Sequence, residues 1–240
     1  MRLLNNNVSA FKSSAVSSFT TIAKHATATA AAFIGINSAI DTVKGGMDFV
    51  KQYQGTMANL QASTGATAEE LSVMKDNITT LYKKGLGESI DDLAQSMATA
   101  RQFTGQTGEE LKKTTALAVT YRDTFGEEVN ESLKAADTMM KNFGITSVQA
   151  FNLLAQGAQK GLNKSGELLD TANEYSPYFA KLGFAANDMF DIFSAGLEAG
   201  AFNLDKVGKK PLPTINRGMK RGGCNANPNR RRAVALVMGA

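Results

Sequence analysis

Few residues of this 240-residue chain could do chemistry on their own. The one histidine, His25, sits between Lys24 and an alanine-rich run, with no carboxylate near it in sequence. It reads as a helix-surface or packing residue. The one cysteine, Cys224, lies close to the end of the chain. One histidine and one cysteine cannot make a tetrahedral zinc site, and a lone cysteine cannot form an internal disulfide. Carboxylates pair at Glu69-Glu70, Asp91-Asp92, Glu109-Glu110 and Glu127-Glu128. Such pairs could serve acid/base work or metal binding. Here they recur where helices are expected to begin, and negative charge there meets the positive end of a helix dipole. The stretch "KKGLGES", residues 83 to 89, looks superficially like a phosphate-binding turn. It lacks the Walker spacing and a preceding strand, so a link between two helices fits better. No GxSxG or P-loop is present. The sequence therefore predicts no catalytic residue, no cofactor site and no metal site, and an enzyme is the least supported class.

The elements that would carry any site follow an internal repeat. "TGATAEEL" begins at Thr64 and "TGQTGEEL" at Thr104, which places Gly65 and Gly105 40 residues apart. "FGITSVQAF" sets Gly144 another 39 along, and "LGFAANDMF" sets Gly183 39 after that. A second series interleaves: Gly87, Gly126 and Gly166, with steps of 39 and 40. The unit is thus about 39 residues, split into two segments of about 20. Thr67 with Glu70, Thr107 with Glu110 and Thr146 with Gln149 have capping-box spacing. Apolar residues recur at helical spacing, as in Ile78, Leu81 and Tyr82, and in Leu133, Ala136, Met139, Met140 and Phe143. Met57, Met74 and Met97 read as adaptable core. Glycines close the segments at Gly85, Gly126, Gly144, Gly161, Gly183 and Gly200. Strand signals are nearly absent. The expected fold is all-α: an elongated array of helical hairpins with the repeat of about 39 residues, each hairpin too small to bury its apolar face alone.

Ahead of the array, residues 1–52 read as an N-terminal Ala-rich helical segment. Its start lacks the pattern of a secretory signal. Its uncharged run, residues 26–40, is the most membrane-like part of the chain. With 15 residues, among them Thr27, Thr29, Asn37 and Ser38, it falls short of the run of about 20 that a spanning helix needs. A helix buried against another helix is the simpler reading. The helical-repeat domain covers 53–207.

From Gly208 the composition changes. All 22 acidic residues lie at or before Asp205, and 18 of the 26 Lys and Arg precede Gly208, so that part carries −4 and residues 208–240 carry +8. The basic balance thus belongs to the tail, and a folded basic groove for nucleic acid is not expected in the body. The tail has no aromatic residue on which bases could stack. The glycine series predicts a further helix beginning near residue 205, and Pro211 and Pro213 fall inside it. The break is expected within a helix rather than in a linker, with order lost over 203–240.

Four segments carry a resemblance: "YQGTMANLQASTGATAEEL" (53 to 71), "MATARQFTG" (97 to 105), "EVNESLKAADTMMKNFGI" (128 to 145) and "AGLEAGAFNLDKVG" (195 to 208). In combination they resemble the bacteriophage tail tape measure proteins, in the minor-tail-protein group of siphophages and prophages. The resemblance covers about residues 15 to 208. It implies a mostly helical virion protein packed in the tail tube, made in the bacterial cytoplasm, that sets tail length and leaves during DNA ejection. It implies other tail proteins as partners (tail tube, assembly chaperones, tail tip) and copies of itself within the tube; contact with the host membrane, which some members make, would fall to residues 26–40. No cofactor and no catalytic residue come with it. Family members are usually longer, and the pattern stops at Gly208. A frameshifted, truncated prophage copy is therefore expected, with 208–240 out of frame and disordered. The alternatives are a membrane-active, channel-forming segment for genome delivery and a helical-repeat interaction module unrelated to phage.

Overall fold

The computed structural model describes residues 43–201 and 203–209, and among these every regular element is a helix. In chain order they are α1 (Val43–Thr64), α2 (Ala68–Lys83), α3 (Ile90–Thr104), α4 (Gly108–Phe125), α5 (Val129–Phe143), α6 (Ser147–Gln159), α7 (Leu168–Lys181), α8 (Ala186–Glu198) and α9 (Leu204–Lys209). His25, the run 26–40, Cys224, Pro211 and Pro213 lie outside the described residues. The chain divides into two units at Leu133 and Lys134, inside α5.

The glycine repeat is a repeat of backbone conformation. Gly65, Gly105, Gly144 and Gly183 have φ of 63°, 66°, 66° and 76°, and the interleaved Gly87, Gly126 and Gly166 have 72°, 74° and 72°. Each ends or precedes a helix at the same phase, which is why the sequence period survives in three dimensions.

Helix starts follow the same phase, and two of the four equivalent positions carry a complete capping box. Thr67 and Thr146 form complete capping boxes with Glu70 and Gln149. The capping box expected at Thr107 and Glu110 does not form: the Thr107 side chain makes no cap hydrogen bond. Gly108, the first residue of α4, has φ 56°, outside the right-handed helical region, which takes the first turn out of capping-box register. Glu110 pairs with Lys113 one turn along its own helix instead. At the fourth equivalent position the hydroxyl is missing altogether. Ala185 has the cap backbone, φ −82° and ψ 162°, but only the reciprocal half remains, with the Ala185 amide donating to Asp188 Oδ2 at 2.8 Å.

In the N-terminal unit α1 packs on α3, and α2, α3 and α4 pack on one another. The core is Leu71, Met74, Ile78 and Leu81 of α2, Leu93 and Met97 of α3, and Leu111 and Val119 of α4, all nearly fully buried. Tyr82, expected on this face, is 45% exposed. The buried stripe runs 71, 74, 78, 81, and Tyr82 sits on its edge in the last turn, where the phenol can meet water. In α5, Leu133, Ala136 and Met139 are buried, while Met140 and Phe143 are half-buried.

The C-terminal unit is aromatic. Phe179 meets Phe184 at 5.5 Å and Phe193 at 5.8 Å, edge-on in the second case, and Phe190 meets Phe193 at 6.0 Å. Phe151, Leu154 and Leu168 complete the core. The helix expected near 205 is α9, which spans Leu204–Lys209; residues 210–240 lie outside the described residues. Two close approaches hold it. Val207 seats over Gly196, where a Cβ would come within 2.5 Å of the valine methyls, and Tyr175 covers Gly208 as closely. Leu204 and Val207 are buried.

The vacant cap gives a direct test. Ala185→Thr should restore the hydroxyl acceptor in a backbone already shaped for it, and raise stability by about 0.5–1 kcal/mol in denaturant unfolding. Thr67→Ala, measured in the same way, should lower it by about 1 kcal/mol.

Candidate functional site

Among the described residues no group of three or more His, Cys, Asp or Glu is arranged to hold a metal. No described helix is long and apolar enough to cross a membrane. The residues with chemical character are those that join one helix of the repeat to another.

Glu70 and Asp92 each occupy the third position of a helix and each serve two partners. Glu70 Oε2 accepts from the Thr67 amide at 3.2 Å, while its Oε1 accepts from Arg101 Nη2 at 2.9 Å. Asp92 accepts the Glu88 amide at 3.0 Å and takes both Arg122 nitrogens, Nη1 at 2.6 Å and Nη2 at 3.0 Å. Ser89 caps the same turn, accepting from the Asp92 amide at 3.1 Å. Arg101 and Arg122 are equivalent in turn. Each lies in the last turn of its helix, four residues before a left-handed glycine whose amide donates back to the arginine carbonyl. The last turn of one helix is thereby clipped to the first turn of the helix before it, which is possible only if successive helices run antiparallel. The two-pronged geometry at Asp92 is the one a guanidinium makes best. Further ties support the clips: Thr56 donates to Asp91 Oδ1 at 2.9 Å, Asn77 to the Gly108 carbonyl at 3.1 Å, and Gln102 to the Ser63 carbonyl at 2.9 Å.

Electrostatics follow from these partners. The Thr67 amide and Arg101 hold the Glu70 carboxyl below the usual range. Burial opposes ionisation of Asp92, but the hydrogen bonds from Arg122 and the Glu88 amide outweigh it, and its carboxyl also lies low. Asp191 on α8 goes the other way: burial, with Asp188 adding to it, pushes its carboxyl up against the attraction of Lys160. Burial pulls the Lys160 ammonium down.

The carboxylate pairs read as helix-start chemistry divide accordingly. Glu69-Glu70, Asp91-Asp92 and Glu109-Glu110 stand in first turns as expected, while Glu127-Glu128 precede α5. Residues 83–89 form the helix-to-helix link between α2 and α3. What sequence reasoning missed is that the second acid of two pairs also holds the last turn of the next helix. The available signal was the arginine four residues before Gly105 and again before Gly126.

Asp191→Asn should raise stability at neutral pH by up to about 1 kcal/mol once solvent screening is allowed for. A carboxyl raised in the folded state weakens that state as pH climbs from the unfolded to the folded value, so the gain should vanish below the ordinary carboxylate range. Thermal unfolding of both forms at pH 7 and pH 3 checks it.

The model of the family "Phage-related minor tail protein" matches residues 81–217, from the end of α2 through α9 and past Gly208. A protein described as a probable tape measure protein of Streptomyces phage phiC31 is 34% identical over 90 residues. That stretch is 37% of this chain and 12% of the phiC31 protein, so the match spans only a small part of the relative's length. No solved structure matches the chain.

Proposed function

This chain belongs to the phage-related minor tail protein family, and from that premise we propose that it acts as a tape measure segment. The observation that carries the reading is that the family match falls on the repeat itself, helices α3 to α9, rather than on a flanking segment. The role in the tail is structural rather than catalytic. The repeat suits a gauge, because adding or removing one unit changes length by a fixed step. A unit of about 39 residues contributes at most about 60 Å if drawn out as continuous helix. Partners on this reading are the tail-tube protein, assembly chaperones, the tail tip and further copies of the chain within the tube. Release with the genome completes the role.

Removing residues 87–125 from the gene, in the phage that carries it, excises one repeat and joins Gly126 where Gly87 stood. Tails imaged by electron microscopy should be shorter by one constant step. Tails of unchanged length would refute the gauge.

The family match runs to 217, past the Gly208 at which the sequence pattern is expected to stop; with that correction the charge reversal supports a second element of the proposal, a loss of reading frame after Gly208 and no later than about the end of the match. Reading the DNA onward in the other two frames should reveal a helical, acid-containing continuation. Absence of such a continuation in both frames would make the basic tail genuine.

A further inference from the structure

Hydroxyl and amide groups donate across helices in both units, but among the described residues of the N-terminal unit two guanidinium clips stand beside them in a shared register, Arg101 to Glu70 and Arg122 to Asp92, with the arginine and carboxylate side chains only 19% to 33% exposed. In the C-terminal unit neutral groups donate across helices. Thr138 Oγ1 donates to Asn173 Oδ1 at 2.6 Å, the Tyr175 hydroxyl to Asp205 Oδ1 at 2.9 Å, and Asn203 Nδ2 to Glu167 Oε1 at 3.1 Å. Beneath them lies the phenylalanine cluster.

A protonated carboxyl answers these donors differently. Its carbonyl oxygen still accepts from a hydroxyl or an amide. Opposite a guanidinium it loses the charge and one of two acceptor oxygens, which are what made the bond strong. We propose that acid therefore opens this chain in two ordered steps, releasing α2 to α4 first while α6 to α9 remain folded.

The groups facing each titrating carboxyl are few. Arg101 faces Glu70 from α3, and Arg122 faces Asp92 from α4. Lys160 on α6 and Asp188 on its own helix face Asp191. Glu70 and Asp92 sit low in the folded state, so their contribution is present above the ordinary carboxylate range and is lost as pH falls through the folded values. Asp191 sits high, so the same fall in pH relieves the C-terminal unit while it loosens the N-terminal one. The opposed signs separate the two steps.

Hydrogen exchange followed by mass spectrometry on the full chain, at pH 7 and near pH 3 and corrected for intrinsic exchange, tests this. Opening of residues 68–125 should rise by about threefold or more relative to residues 147–198, the scale of two partly exposed ion pairs losing their charge. Equal opening of both stretches, or earlier opening of 147–198, overturns the proposal. Asp92→Asn combined with Glu70→Gln should loosen 68–125 already at pH 7 and flatten its pH response, leaving 147–198 unchanged. A pH response as steep as that of the unaltered chain overturns the assignment to these clips. If the double variant does not fold, the unaltered chain in 1 M salt at pH 7 gives the second reading. Screening should loosen 68–125 alone, and equal loosening of both stretches counts against the clips.

Discussion

A helix of 13 to 18 residues, the range of α2 to α8, is marginal by itself in water. Its four leading amides and four trailing carbonyls are unsatisfied, and one turn of cap can decide whether it forms. At α2, α3 and α8 the constraint is met by a carboxylate at the third position of the helix. It accepts a backbone amide at the start of its own helix and, at Glu70 and Asp92, a guanidinium from the end of the following one. Capping and tertiary pairing thus rest on one functional group. The glycine four residues beyond each arginine closes the other end, and the clip occurs twice among the described residues, from α3 to α2 and from α4 to α3.

The two units use that frame differently. The N-terminal one has a core mainly of leucine, methionine and isoleucine, many threonines donating to carbonyls one turn back, and charged clips. Thr79, Thr99, Thr104, Thr115 and Thr120 all make such bonds. The C-terminal one relies on rings, and on α8 and α9 approaching so closely at Gly196 and Val207 that no side chain fits between them. A protein built from units held by different forces can respond to its surroundings in parts, which a repeat with a single kind of tie could not.

Much of the fold was legible because its punctuation is local. The Thr67 and Thr146 boxes depend on residues within one turn of each other, and each glycine of the repeat marks its own helix end, so the 39-residue phase and the start of α9 could be read from glycine positions alone. The failures share a cause. Thr107 has the right partner at the right spacing, yet Gly108 takes the first turn out of register, and spacing alone does not report φ. Tyr82 has helical spacing, yet the buried stripe passes beside it. The clips pair residues 30 or 31 positions apart, a distance set by hairpin packing rather than by any local rule. The absence of a chemical site was argued from residue types. The family was read from combined segments, and the match over 81–217 places it on the helices themselves.

The central claim is that one carboxylate both starts a helix and ties its neighbour. A double-mutant cycle on Asp92 and Arg122, with Asp92→Asn and Arg122→Gln measured singly and together by denaturant unfolding at pH 7, tests it most directly. The account predicts a coupling of about 1 kcal/mol or more, with Asp92→Asn the costlier single change because it also weakens the cap at Glu88. Additive effects, or equal cost for the two single changes, would contradict it.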